Sequence, residues 1–512
     1  MLKEEKKFIL RGIGVSYLHL LVGFIFVFFL TPIIIRHVGQ SAYGLWVIIS
    51  SIVGYFLMFD FGINTAVAKY TAEYRALNRQ EAFNKIASTT FVYIVFVGVL
   101  IVLISIGITP FIPYIFNIPD ALVSAGKTAF LIMAFNVALF LLSGVFGNII
   151  YGHQRVDVWK TFTIVQLSAN ILLTILFLRI GFGLIGMAAA VTISNLILIS
   201  LYLTFLQRSG YGVSIRLQLA EVKVFKEIAP YSIRTFILVL TSRILYYTSS
   251  IIIGIFLGAS MVTPYDVTYK LCFYITSLFG VISTTIFPRF SKLYALEDIG
   301  GIENLYLKTT KISLAIMSPL AIFLVFYGQP LINLWVGEEN FVGMDIFLIF
   351  IFMDFIHAVG TPAGLLLQGI GKNKTFVYSE TVNAGLNLIL SVILIREMGL
   401  LGVALGGLTA HLCTSTWVVP LLACRHTRLP IKKLMSSAVL PPLFVGIVSG
   451  VAVWMLKQRL FHADNFLYLC LNGIIILTFY AAFYVTFGST KEERRMYLSL
   501  IPNLRHFLKK GT

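Results

Sequence analysis

Charge is scarce in this chain: only 12% of its 512 residues are Asp, Glu, Lys or Arg. Soluble domains carry roughly 25%, so a soluble fold is excluded and a polytopic membrane protein is expected. Cysteine is scarcer still, and Cys272, Cys413, Cys424 and Cys470 lie far apart in or beside apolar runs. With no C-x-x-C pair and no cluster with histidine, a disulfide framework and a zinc site are both excluded, leaving the four as packing residues. A phosphate-binding loop is lacking as well. Gly126-Lys127-Thr128 and Gly371-Lys372-Asn373 have Ala121 and Leu366 where G-x-x-x-x-G-K-[ST] needs its first glycine. ATP is therefore not expected as a direct energy source. The loops on the basic side are too short for a catalytic domain. Residues 110–126 and 328–343, the longest on the other side, lack a carboxylate constellation for glycosyl transfer. Neither an enzyme nor a cofactor or metal is expected.

Long apolar runs are what the chain has in abundance, with 58% hydrophobic residues. A membrane-crossing helix needs about 20 of them in succession. On that ruler fourteen spans emerge, near 12–35, 43–66, 86–109, 128–150, 161–180, 184–206, 230–257, 265–288, 312–335, 344–368, 376–395, 399–423, 437–456 and 466–487. The first follows a basic N-terminus. It is too long for a signal-peptide core and has no clear cleavage site, so it reads as a retained span. The net charge of +17 would suggest nucleic acid in a soluble protein, but its placement says otherwise. Thirty of the 39 Lys and Arg fall in segments on the side of the N-terminus, six on the opposite side, and Arg234, Arg243 and Lys270 within spans. Such a bias predicts both termini in the cytoplasm, with anionic lipid as a secondary partner and nucleic acid excluded.

An internal repeat organises these spans. Gly152-His153-Gln154-Arg155 resembles Gly369-Ile370-Gly371-Lys372, and Asn170-Ile171-Leu172 matches Asn387-Leu388-Ile389. Gly183-Leu184-Ile185-Gly186 matches Gly399-Leu400-Leu401-Gly402, and residues 69–74 parallel 289–294; the offsets are 217, 217, 216 and 220. The expected fold is all-α: two parallel six-helix lobes, residues 1–206 and 230–423, joined by a cytoplasmic linker at 207–229. A helix pair at 437–487 and a basic tail at 488–512 follow. Transporters with repeats bind substrate between the halves and alternate access by rocking them.

Fourteen spans in a 6+6+2 pattern, a basic N-terminus, residues 31–46 (TPIIIRHVGQSAYGLW) and Asp60-Phe61-Gly62-Ile63-Asn64 resemble bacterial polysaccharide flippases of the Wzx type. These belong to the multidrug/oligosaccharidyl-lipid/polysaccharide (MOP) exporter superfamily. The resemblance covers essentially the whole chain and is most specific in its first 75 residues. It implies movement of an undecaprenyl-pyrophosphate-linked oligosaccharide from the inner to the outer leaflet of a bacterial plasma membrane, driven by an ion gradient. Its implied partners are that lipid-linked substrate, membrane lipids and polysaccharide assembly enzymes.

A pyrophosphate requires cations, and sugars favour aromatic faces. Arg243 lies midway along residues 231–257, with Phe236, Leu240, Tyr246, Tyr247 and Ser250 at helical spacing. It reads either as a bidentate phosphate ligand or as a structural partner of a carboxylate such as Asp354. A cation there costs at least about 2.5–3.5 kcal/mol on insertion scales. Arg234, nine residues earlier, points the opposite way near the basic end, and it either snorkels or meets substrate. Lys270, near the outer end of its span, has the same two readings. Asp354 and His357, three apart, form either an ion-coupling pair or a packing hydrogen bond. For Asp60 and Asn64 the resemblance favours a structural or gating role. Glu380 and His19 are further cavity candidates, with packing and interfacial alternatives. Competing functions are a lipid II flippase, a multidrug or cation antiporter, whose cavity would favour carboxylates, and a membrane polysaccharide polymerase or ligase.

Overall fold

The computed structural model describes residue 18 and residues 22–372, 374–456 and 464–499. It is almost entirely helical, with no strand among the described residues. Backbone inside hydrocarbon must satisfy its own N–H and C=O groups, and a helix does so locally. The helices are α1 (Val22–Val38), α2 (Gln40–Phe56), α3 (Ile63–Ala76), α4 (Gln80–Ile108), α5 (Asp120–Gly152), α6 (Val156–Ile180), α7 (Gly183–Arg208) and α8 (Val222–Leu257). They continue with α9 (Ala259–Ala295), α10 (Ile299–Val336), α11 (Met344–Gly369), α12 (Lys374–Cys413), α13 (Ser415–Thr427), α14 (Leu440–Leu456), α15 (Phe466–Phe483) and α16 (Lys491–Ser499). Eleven helical segments among the described residues are long and apolar enough to cross a membrane, and α1 is a shorter apolar helix. One of the eleven, Lys374–Thr427, runs for 54 residues and breaks at Gly399, where φ is 57° and ψ is −135°. Only glycine tolerates that region readily, so the backbone turns at the junction that the apolar pattern places there.

Packing divides the chain into two compact units, Met1–Asp266 and Val267–Thr512. The repeat starts its second half at residue 230, whereas packing density counts α8 with the first unit. In that unit, one stripe of α2 meets the first turns of α9. Tyr43 Oη donates to Asp266 Oδ2 at 3.0 Å, and Thr263 Oγ1 donates to Gln40 O at 2.7 Å. Between them a Cβ on Gly44 would sit 1.7 Å from Ala259 O, so the glycine permits backbone contact, as small residues do between membrane helices. Gly44→Ala is expected to cost about 1–3 kcal/mol through overpacking. Thermal unfolding in detergent checks this, with Gly107→Ala as control, since nothing lies within 4 Å of a Cβ there.

The segment between α7 and α8 is strapped to α4. Gln80 Nε2 donates to Tyr211 O and Gly212 O at 3.2 and 2.8 Å. The Ser214 N–H donates to Asn84 Oδ1 at 3.0 Å, and the Arg216 N–H to Ser88 Oγ at 3.1 Å. The Glu221 N–H donates to Thr89 Oγ1 at 3.0 Å, while Lys85 pairs with the Glu221 carboxylate at 2.9 Å. Positions 80, 84 and 88, with 85 and 89 beside them, lie on one face of a helix. Helix α8 already starts at Val222, so the non-helical linker is shorter than the apolar pattern alone indicates.

In the second unit, α14 and α15 pack on α10 through Ile322, Tyr327, Val445, Leu469, Ile476 and Tyr480. Helix α16 opens on a reciprocal cap: the Thr490 N–H donates to Glu493 Oε2 at 2.8 Å, and the Glu493 N–H to Thr490 Oγ1 at 3.3 Å. Lys311 of α10 reaches the same carboxylate at 2.6 Å, with side chains 6% and 15% exposed.

Two hydrogen bonds recur in both units at the spacing of the repeat. Thr174 Oγ1 donates to Asn170 Oδ1 at 3.2 Å; 217 residues on, Ser391 Oγ donates to Asn387 Oδ1 at 3.0 Å. Gln166 Nε2 donates to Asn195 Oδ1 at 3.2 Å. Its counterpart is Asn383 Nδ2, which donates to His411 Nδ1 at 3.1 Å.

Candidate functional site

The second of these contacts leads to a polar layer within the second unit. Asn383 and His411 are both buried, on either side of the Gly399 break in α12. The His411 ring stands 4.9 Å from that of His357 on α11, edge to face. One turn from His357 along α11 lies Asp354, 5% exposed. On α12, Glu380 accepts a hydrogen bond from Ser415 Oγ of α13 at 2.7 Å. Asp354 Oδ2, His357 Nδ1 and Asn383 Oδ1 are buried without a hydrogen bond, and orphaned groups of this kind are costly in an apolar setting. The structure thus gathers Glu380, Asn383 and His411 of α12 with His357 of α11 and Ser415 of α13, with Asp354 one turn from His357.

The first unit builds its corresponding layer from amides and a hydroxyl, Gln166 Nε2 also donating to Ser194 Oγ at 3.4 Å. Asn195 Nδ2 donates to Asn136 Oδ1 at 2.7 Å and Gln166 completes the set. At the repeat offset, Glu380 stands where the first unit has Thr163, whose hydroxyl bonds back to Lys160 O on its own helix. His411 stands where it has Asn195, and His357 where it has Phe140. Packing alone therefore does not require ionisable groups in this layer. Asn383, His411 and Ser415 were not singled out from sequence; for the first two the signal is the register with Gln166 and Asn195.

In the first unit, Arg243 of α8 donates from Nη1 to Tyr247 Oη at 3.1 Å. Its guanidinium carbon also lies 5.5 Å from the Tyr247 ring centroid. Arg243 Nε is buried without a hydrogen bond. Tyr247 is held in turn by Tyr55, with ring centroids 6.2 Å apart. Tyr55 Oη is hydrogen-bonded to Thr248 Oγ1. Phe236 of the same helix packs against Phe61 at 4.7 Å. Tyr246 is 47% exposed and lies one residue, or about 100°, round the helix from Tyr247. Lys270 is half-buried and lies in the second unit. Arg234 is on α8, but its side chain is outside the described residues, as is His19.

Asp60 ends a short 3-10 turn after α2, and Phe61 follows with φ of 45°. Asp60 Oδ1 then accepts the Asn64 N–H at 3.2 Å, capping α3 as the chain re-enters a helix. Asn64 Nδ2 donates to Leu141 O of α5 at 3.4 Å. The pair fixes a helix joint. Among the described residues no group of three or more His, Cys, Asp or Glu is placed to hold a metal ion.

Comparison with known proteins follows the same lines. A family model described as "Polysaccharide biosynthesis protein" matches residues 9–294, more than half of the chain. The "Uncharacterized membrane protein EpsK" of Bacillus subtilis (strain 168) is 22% identical over 482 residues, covering 92% of this chain and 93% of that one. A Shigella flexneri protein named "Putative O-antigen transporter" is 22% identical over 382 residues, covering 72% and 87%. Among solved structures, the lipid II flippase MurJ in an inward closed conformation aligns with a TM-score of 0.68 at 17% identity, over 93% of this chain and 99% of that one. An inward-facing multidrug resistance MATE transporter of the MOP superfamily aligns at 0.63 and 16% identity, over 81% and 99%. The fold is therefore that of MOP transporters, and the chain belongs to the polysaccharide biosynthesis protein family.

Proposed function

We propose that the protein flips an undecaprenyl-pyrophosphate-linked oligosaccharide across a bacterial plasma membrane, inner leaflet to outer, by alternating access. The reading uses fourteen spans with both termini cytoplasmic. It is supported by the family match, by relatives named for O-antigen transport and lipid II flipping, and by the hydrogen bonds that recur in both units. The observation that carries it is Arg243, held by Tyr247 within a span while its buried Nε remains without a partner. A guanidinium so placed suits a phosphate oxygen, whereas a cavity for cationic drugs would favour carboxylates.

Coupling is assigned to the polar layer of the second unit. Two imidazoles and two carboxylates suit a proton; a hard metal cation would prefer oxygen ligands alone. The test is movement of lipid-linked oligosaccharide in proteoliposomes, comparing wild type with Arg243→Ala at matched protein levels. Translocation by wild type, and a fall to the protein-free rate in the variant, is the expected result. An unaffected variant would remove Arg243 from the mechanism. Absence of wild-type movement alongside drug-cation antiport would overturn the flippase reading.

A further inference from the structure

We propose that the groove between α6 and α7 binds one acyl chain of an anionic glycerophospholipid, with the lipid phosphate held by Arg208. The groove has a volume of about 530 Å³ and opens outward. Its walls are Phe162, Ile193, Ile197, Leu201 and Phe205, and Arg208 closes one end. The two hydroxyls on the wall add no polarity, because each bonds back into its own helix. Ser200 Oγ donates to Leu196 O and Thr204 Oγ1 to Ser200 O, both at 2.8 Å.

Length and charge select the occupant. From Ile193 to Phe205 the helix advances roughly 18 Å at 1.5 Å per residue, close to the ~15 Å of one leaflet of a ~30 Å hydrocarbon core. Arg208 then falls nearly one turn further, at headgroup depth. An ordinary acyl chain fits that span, whereas a polyprenyl carrier chain overruns it. Arg155 lies nearby, its guanidinium carbon 5.6 Å from the Phe205 ring, but Asp157 engages it through two hydrogen bonds at 3.0 and 3.2 Å. Arg208 is exposed and forms no ion pair with the described residues. An apolar groove that ends on an unneutralised guanidinium complements a headgroup of net negative charge better than a zwitterionic one, whose own cation already offsets its phosphate.

Native mass spectrometry of the full chain tests this, after incubation with equimolar phosphatidylglycerol and phosphatidylcholine of matched acyl chains. Wild type is expected to retain one phosphatidylglycerol in about tenfold preference, the scale of one charge-assisted contact. Arg208→Gln should bring the ratio to near one. Ile197→Trp, which fills the groove, should remove the retained lipid, while Leu203→Trp on the exposed face beside it should not. An unchanged preference in Arg208→Gln, or undiminished retention in Ile197→Trp, would overturn the proposal. So would displacement of phosphatidylglycerol by equimolar polyprenyl phosphate, which would give the groove to the transported substrate.

Discussion

Replacing His411 with asparagine is expected to leave a folded transporter whose substrate movement no longer responds to a pH gradient. Asparagine is what the first unit carries at the equivalent position, Asn195, where it satisfies Gln166 and Asn136. His411→Asn therefore places here a side chain that the first unit already packs at the equivalent position, with Asn383 beside it to bond as Gln166 does. For wild type, one pH unit across the membrane biases a one-proton cycle by about 1.4 kcal/mol, or roughly tenfold. In proteoliposomes with and without an imposed gradient, that tenfold difference should collapse to none in His411→Asn. Glu380→Gln, which keeps a hydrogen-bond acceptor for Ser415, should behave alike. If both variants retain the full response, the layer is structural and coupling lies elsewhere.

Lys311→Met is expected to lower stability by about 3 kcal/mol, the low end for a broken buried ion pair. The Glu493 carboxylate would lose its partner while remaining only 15% exposed. Burial alone raises a carboxylate's pKa, but Lys311 and the Thr490 cap outweigh it and hold Glu493 below its ordinary 4.5. A depressed carboxylate adds stability that is present above its unfolded pKa and lost as pH falls through the folded one. The gap between wild type and Lys311→Met should thus be full at pH 7 and narrow below about pH 4.5. Thermal unfolding in detergent at the two pH values measures it. A gap of constant size would point to lost packing of the lysine stem instead.

Legibility followed the range of the interaction. The helices could be read because hydropathy is a local property, and Gly399 stood out as a glycine between two apolar runs. Asp354, His357 and Glu380 were visible as ionisable groups in apolar surroundings. His411 and Asn383 were not, because a polar residue inside a 54-residue helical run gains meaning only through its partner. Tyr246 and Tyr247 differ by one position in sequence but by about a hundred degrees round the helix, and it is Tyr247 whose hydroxyl meets Arg243. The Tyr43–Asp266 bond spans 223 residues, and no pattern within one helix announces it. Gly44 illustrates the same limit. In sequence it is a helix interior weakened by about 1 kcal/mol, and its use appears only when Ala259 is seen against it.

The strap on α4 bears on how the chain is made. Its contacts link residues about 130 apart, and all of its donors and acceptors precede Val222. A ribosome will have delivered every one of them before the second repeat has been translated. Domains made in succession fold as units, N-terminal first. The nascent first unit can therefore clasp its own trailing segment early. That takes a polar stretch out of play before an apolar and closely similar second sequence arrives to compete for the same partners.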